Sequence, residues 1–195
     1  MVSAFVFRIR QCISPWALEL LIAMAGGCFL AIASQLAIPL PFTPVPLTLQ
    51  TLAIFVLGGI LGSRRSMYSV FAYLVQCCCG LPVLAGGGVN PFWIVDPKAG
   101  FLISFIVAAF LIGKMTEKRA HISVFYLLMT LLVGQITISS MGMIWLAVYV
   151  GWAKAFFFGV VPFLSGAVIK IIAGAFILKG YQMCRGSFAA ATMKF

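Results

Sequence analysis

Six stretches of this chain are dominated by apolar residues: 16–38, 49–61, 67–81, 100–115, 122–150 and 161–180. A helix that spans a bilayer needs roughly 20 apolar residues, fewer when it packs against neighbours or the bilayer thins locally. By that measure the pattern predicts six spanning helices. The second and third runs are short, barely enough to cross at ~1.5 Å per residue. Their rival reading is a re-entrant hairpin, but its tip would be Arg64-Arg65, and two guanidinium groups at the midplane are expensive. The expected fold is therefore all-α, a polytopic membrane protein with six transmembrane helices.

The polar positions between the runs are asymmetric. On one side of the predicted topology lie ten cations: Arg8, Arg10, Arg64, Arg65, Lys114, Lys118, Arg119, Lys179, Arg185 and Lys194. The other side holds Lys98 and Lys154. The positive-inside rule then places both termini in the cytoplasm. The whole chain, 1–195, reads as a single integral membrane domain with a basic cytoplasmic tail at about 181–195. The start of the chain also imitates a secretory signal, with Arg8 and Arg10, an apolar run, and Ala31-Ile32-Ala33 as a small-residue site. Because the run continues to Ile38 and five more follow, a retained first helix is favoured over a cleaved leader.

Composition sharpens this picture. Hydrophobic residues make up 64% of the 195, and charged residues only 8%, against about 25% in an ordinary soluble domain. No water-facing surface can be built from so few charges. A soluble enzyme, a disordered chain and a nucleic-acid reader are excluded, although the net charge is +10. The six cysteines include the run Cys77-Cys78-Cys79, which cannot arrange four thiolates around one metal; they read as small apolar helix residues. His121 is the one histidine, and no nucleophile–base pair, HExxH or phosphate-binding loop is present. No catalytic residue, metal site or cofactor is expected, and the chain is not expected to be an enzyme.

Lys170 belongs to neither cationic side. It stands eight residues after Pro162, on the order of 12 Å into the bilayer at ~1.5 Å per residue. An ammonium at that depth should face the bundle interior and have a partner. The acids are Glu19, Asp96 and Glu117; the first and last belong to the opposite end, and Asp96 lies in an outer loop. Asp96 could fold inwards to pair with Lys170; otherwise Lys170 snorkels or is satisfied by backbone carbonyls, or its acceptor arrives with an anionic or carbonyl-bearing ligand.

Two outer loops supply candidate walls. Pro39-Leu-Pro-Phe-Thr-Pro-Val-Pro46 is too proline-rich for helix or sheet interior and should be stiff and extended; Thr48, Gln50 and Thr51 follow it. The second loop, residues 80–100, mixes Gly86–Gly88 with Asn90, Phe92, Trp93, Asp96 and Lys98, and its length favours a functional role. Aromatic residues there serve equally as interface anchors. Helix 1 carries Ala23, Gly27 and Ala31 at four-residue spacing, a stripe suited to internal packing or to docking a partner subunit.

These motifs resemble the BioY family of biotin-uptake proteins, the substrate-binding (S) components of energy-coupling-factor transporters. The resemblance runs from Ile38-Pro-Leu-Pro-Phe-Thr-Pro-Val-Pro-Leu-Thr-Leu-Gln50 through Leu57-Gly-Gly-Ile-Leu-Gly62 and Gly80-Leu-Pro-Val-Leu-Ala-Gly-Gly87. It continues through Pro97-Lys-Ala-Gly-Phe-Leu102 to Gly159-Val-Val-Pro-Phe-Leu-Ser-Gly-Ala-Val-Ile-Lys170. It implies a multi-pass protein of the bacterial cytoplasmic membrane, with a vitamin pocket near the outer surface closed by the loop between helices 1 and 2. A transmembrane coupling subunit and two ATPase subunits are the implied partners, with Ala23, Gly27 and Ala31 as the contact stripe. The family's ligand-binding Lys matches Lys170, and a polar loop residue corresponds to Asn90. Two departures stand out: Ala167 replaces the family's Asp three residues before that Lys, and Asp96-Pro-Lys-Ala-Gly-Phe101 replaces Gly-Pro-Thr-Gly-Gly-Tyr. The expected substrate-binding set is Lys170, Asn90, Phe42, Trp93, Gln50, Asp96 and Lys98. Biotin is the expected ligand; another vitamin, or a structural membrane role with no small ligand, are the alternatives.

Overall fold

The computed structural model describes residues 14–192 apart from 42, 118, 120 and 121, with side chains through 185. Phe42, Lys118 and His121, with Arg8, Arg10, Cys12 and Lys194, lie outside the described residues. The chain forms α1 (Pro15–Gln35), β1 (Ala37–Ile38), β2 (Leu47–Thr48), α2 (Gln50–Leu61), α3 (Ser63–Cys78), α4 (Ala99–Thr116), α5 (Val124–Val150), α6 (Trp152–Gly159) and α7 (Leu164–Thr192). Each of the six apolar runs holds one helix; α6 lies between the last two. Four segments are long and apolar enough to cross a membrane: Pro15–Gln35, Ala99–Thr116, Val124–Val150 and Trp152–Arg185.

Local chemistry sets the helix ends. Ser14 caps α1 by accepting the Ala17 N–H (3.3 Å), with Pro15 in the first turn where its missing N–H costs nothing. Ser123 caps α5 in the same way through Tyr126. Gly62 (φ +79°) separates α2 from α3, a left-handed turn that suits glycine. The proline-rich segment departs from a plain extended strap. Its flanks pair as a two-residue antiparallel ladder, Ala37 with Thr48 and Ile38 with Leu47, so the prolines occupy the tip of a hairpin. Thr43 ties that tip to α6 by donating to the Phe158 carbonyl (2.8 Å).

Packing centres on α4. Of its apolar window 56% is buried, against 22–33% for the other three long segments. It lies against α2, α3 and α5. Helix α2 is only 12 residues long, about 18 Å, and its Ile54 and Phe55 are fully buried. The outward faces of α1, α5 and α7 carry Leu20, Ile32, Phe125, Val148, Ile169 and Phe176 in the open, the surface of a helix bundle whose surroundings are apolar. On the α1 stripe Ala23 is buried, and Gly27 faces the backbone of Tyr73 and the side chains of Ala72 and Gln76 on α3.

Arg64, Arg65, Lys114, Arg119 and Lys179 gather at one end. Arg65 pairs with Glu19 (2.6 Å), Arg119 lies over the Tyr126 ring (4.1 Å), and Lys179 donates to the Ile122 carbonyl (2.8 Å). Glu117, beside Lys114, accepts from both the amide (3.0 Å) and the hydroxyl (2.7 Å) of Ser63. These hydrogen bonds hold its carboxyl below the usual carboxylate range.

Gly113 marks the closest approach of α4 to the α2–α3 turn. An added Cβ would strike the backbone of Gly62 and Ser63, whereas one at Gly180 meets nothing. Gly113→Ala is predicted to lower stability by ~1–3 kcal/mol despite the better helix propensity of alanine. Gly180→Ala should be neutral or slightly stabilising. Thermal unfolding in detergent checks the pair, and equal midpoints for the two variants would contradict this packing.

Candidate functional site

At the end of the bundle opposite the cation cluster, a cavity of about 390 Å³ opens between the hairpin, the 79–98 loop, α4, α5 and α7. Its size falls in the ~300–1,000 Å³ range of small-molecule pockets. The shortness of α2 makes the space: this helix begins at Gln50, leaving the volume beyond its N-terminus to the cavity. Phe101, Leu102, Phe105, Ile138 and Phe163 provide apolar wall. The first turn of α2 presents Gln50 and Thr51, so its unpaired amides add a positive field there.

Lys170 lines this cavity and is 9% exposed. Its Nζ donates to the Thr48 carbonyl at 2.6 Å. Among the described residues no carboxylate pairs with it. Glu19 is engaged with Arg65 and Glu117 with Ser63 and Lys114. Asp96 turns its Oδ1 to the Lys98 amide (2.9 Å) and its Oδ2 to Asn90 Nδ2 (3.4 Å). An ammonium has three N–H donors, and one protein acceptor leaves capacity for a ligand oxygen.

A line of hydrogen bonds leads away from this contact. Thr48 Oγ1 donates to Gln50 Oε1 (3.2 Å), and Gln50 Nε2 donates to the Tyr73 hydroxyl (2.7 Å). That hydroxyl donates to the Val83 carbonyl (2.9 Å), which also receives the Ser34 hydroxyl (2.6 Å). Lys170, the hairpin, α2, α3, the long loop and α1 are thereby held in one register. The loop is pinned from its other flank as well. Trp145 Nε1 donates to the Asp96 carbonyl (3.1 Å) and the Tyr149 hydroxyl to the Val95 carbonyl (2.8 Å). Trp93 is buried, with its Nε1 directed at Cys78 Sγ (3.2 Å). Glycines and prolines in this loop thus belong to a fixed wall rather than a loose connection.

Six of the seven residues expected from the sequence line the cavity: Lys170, Asn90, Trp93, Gln50, Asp96 and Lys98. Phe42 lies outside the described residues. Asn90 is partly engaged, its Oδ1 accepting the Phe92 amide (3.1 Å). Ala167, one turn before Lys170, presents only a methyl group to the same space. Sequence reasoning missed Gln135 and Ser139 on α5. Their spacing of four puts both on one helix face, and both reach the cavity.

Known proteins resemble this chain in sequence and in overall fold. The model of the BioY family matches residues 8–186. A relative from Pyrococcus horikoshii described as a probable biotin transporter BioY is 35% identical over 139 residues, covering 71% of this chain and 82% of that one. The biotin transporter BioY of Rhizobium etli is 32% identical over 176 residues, covering 84% and 94%. Among solved structures, the S-component for biotin from an ECF-type ABC transporter superposes with a TM-score of 0.76 at 29% identity, covering 88% of this chain and 95% of its own.

Tyr73→Phe removes the central link of the hydrogen-bonded line and strands the Gln50 amide donor. A loss of ~1–3 kcal/mol in stability is expected, read as a lower unfolding midpoint in detergent. An unchanged midpoint would show that the line does not hold the wall together.

Proposed function

The chain belongs to the BioY family, and from that premise we propose that it captures biotin from outside the cell and passes it unchanged across the membrane as the S component of an energy-coupling-factor transporter. The observation that carries this reading is Lys170, a buried ammonium on the cavity wall with a single backbone carbonyl as partner among the described residues. Biotin offers what such a site lacks: an apolar ring and chain for the aromatic walls, and a carboxylate and a ureido carbonyl as acceptors. Lys170 meets a polar end of the ligand. Asn90 hydrogen-bonds its ureido or carboxylate group, and Trp93 and Phe42 enclose its apolar body. Gln50, Asp96 and Lys98 complete the polar rim.

The chain sits in the bacterial cytoplasmic membrane as one integral membrane domain. All six apolar runs cross, the short α2 and α3 included, with both termini cytoplasmic. The clustering of Arg64, Arg65, Lys114, Arg119 and Lys179 at the end away from the cavity supports that orientation. A transmembrane coupling subunit and two ATPase subunits drive the cycle, since the chain has no phosphate-binding motif of its own. No chemical step is required.

Two measurements test the proposal. Biotin should raise the unfolding midpoint of the purified protein in detergent, by about 2.7 kcal/mol of stabilisation at a hundredfold excess over Kd, while thiamine and riboflavin leave it unchanged. Labelled biotin should accumulate in cells lacking their own transporter when the coupling subunits are co-expressed. A protein stabilised by a different vitamin, or by none, would overturn the assignment.

A further inference from the structure

Buried polar groups in folded proteins are almost always paired. Among the described residues four buried side-chain polar atoms have no partner: Gln76 Nε2, Thr130 Oγ1, Gln135 Oε1 and Gln182 Oε1. Of these residues, Gln135 alone lines the cavity. Its amide is held in place because Nε2 donates to Ser139 Oγ one turn along α5 (3.1 Å). The carbonyl end of the same amide is thus oriented, shielded from water and unused.

Several other acceptors around the cavity already receive a hydrogen bond. Gln50 Oε1 receives Thr48, Asn90 Oδ1 receives the Phe92 amide, Asp96 Oδ1 receives the Lys98 amide, and the Thr48 carbonyl receives Lys170. Ala167 adds no polar atom. A ligand that brings N–H donors into this space therefore has an unpartnered acceptor on the wall residue Gln135 of α5, while Lys170 on α7 and Lys98 in the long loop line the same cavity as donors.

We infer that Gln135 is a ligand-binding and specificity-determining residue, whose Oε1 accepts a hydrogen bond from a cyclic urea N–H of the substrate, with Ser139 fixing the orientation of the amide. This rests on the biotin reading of the same site and adds the group that distinguishes a urea from a ligand with acceptors only. A carboxylate or carbonyl alone leaves Gln135 Oε1 buried and unpaired, so such ligands are disfavoured by the desolvated acceptor.

The test uses the full chain in detergent, titrated with biotin and with two analogues, each methylated on one ureido nitrogen, for the wild type and for Gln135→Leu. Loss of the acceptor should weaken biotin binding about tenfold. For at least one analogue, the methylation penalty seen in the wild type should shrink in Gln135→Leu, because the bond that methylation removes is already gone. Should Gln135→Leu fold poorly, the wild-type series with the two analogues still decides, since no penalty for either methylation contradicts the bond. Unchanged biotin affinity in Gln135→Leu, or methylation penalties undiminished by it, overturns the role of Gln135 while leaving the biotin reading intact. A wild type that binds no biotin overturns both.

Discussion

A buried amine with too few acceptors is the constraint on which the rest of this molecule depends. Placing an ammonium inside an apolar bundle costs at least a few kcal/mol unless it is paired, and this chain commits its three carboxylates elsewhere. Glu19 and Glu117 work at the cationic end, where they tie α1 to α3 and α4 to the α2–α3 turn. Asp96 organises the turn that opens α4. Lys170 is left with the carbonyl of Thr48. That bond docks the hairpin on α7, and it leaves donor capacity facing the cavity.

The architecture around it serves the same end. A short α2 begins where the cavity ends, and the space beyond it is roofed by two segments that form no long helix, the proline hairpin and the 79–98 loop. Neither is loose. Thr43, Tyr73, Trp145 and Tyr149 each anchor one of them to a helix by a hydrogen bond to a backbone carbonyl. A rigid wall with a few fixed polar atoms lowers the ordering cost of binding a small, partly apolar molecule. The proline hairpin joins α1 to α2 and carries the Lys170 acceptor, so movement of the hairpin and release of Lys170 are coupled.

Much of this was legible in the residues themselves. The apolar runs located the helices because no other pattern tolerates so few charges, and Lys170 declared itself by depth alone. Asn90, Trp93 and Gln50 were legible from the unusual chemistry of the segments that hold them. What escaped had weaker local signals. The two-residue strands have no periodicity to detect and are flanked by prolines that argue against a sheet. Helix α6 was masked by Gly151, Lys154 and Gly159, which read as a connection. Gln135 and Ser139 lie among Thr130, Thr137 and Ser140, and a helix that is apolar on every side gives no clue to which of its polar residues faces inward. The Ala23–Gly27–Ala31 spacing suits either internal packing or a partner subunit; that Gly27 meets α3 depends on tertiary geometry.

The central claim is that Lys170 spends its free donor capacity on the ligand. Calorimetric titration of biotin into the wild type and into Lys170→Met, which preserves side-chain length and removes the donors, addresses it most directly. The account predicts affinity at least about tenfold weaker in the variant, or ~1.5 kcal/mol, with the helical fold retained by circular dichroism. Equal affinity in a folded Lys170→Met protein would contradict it.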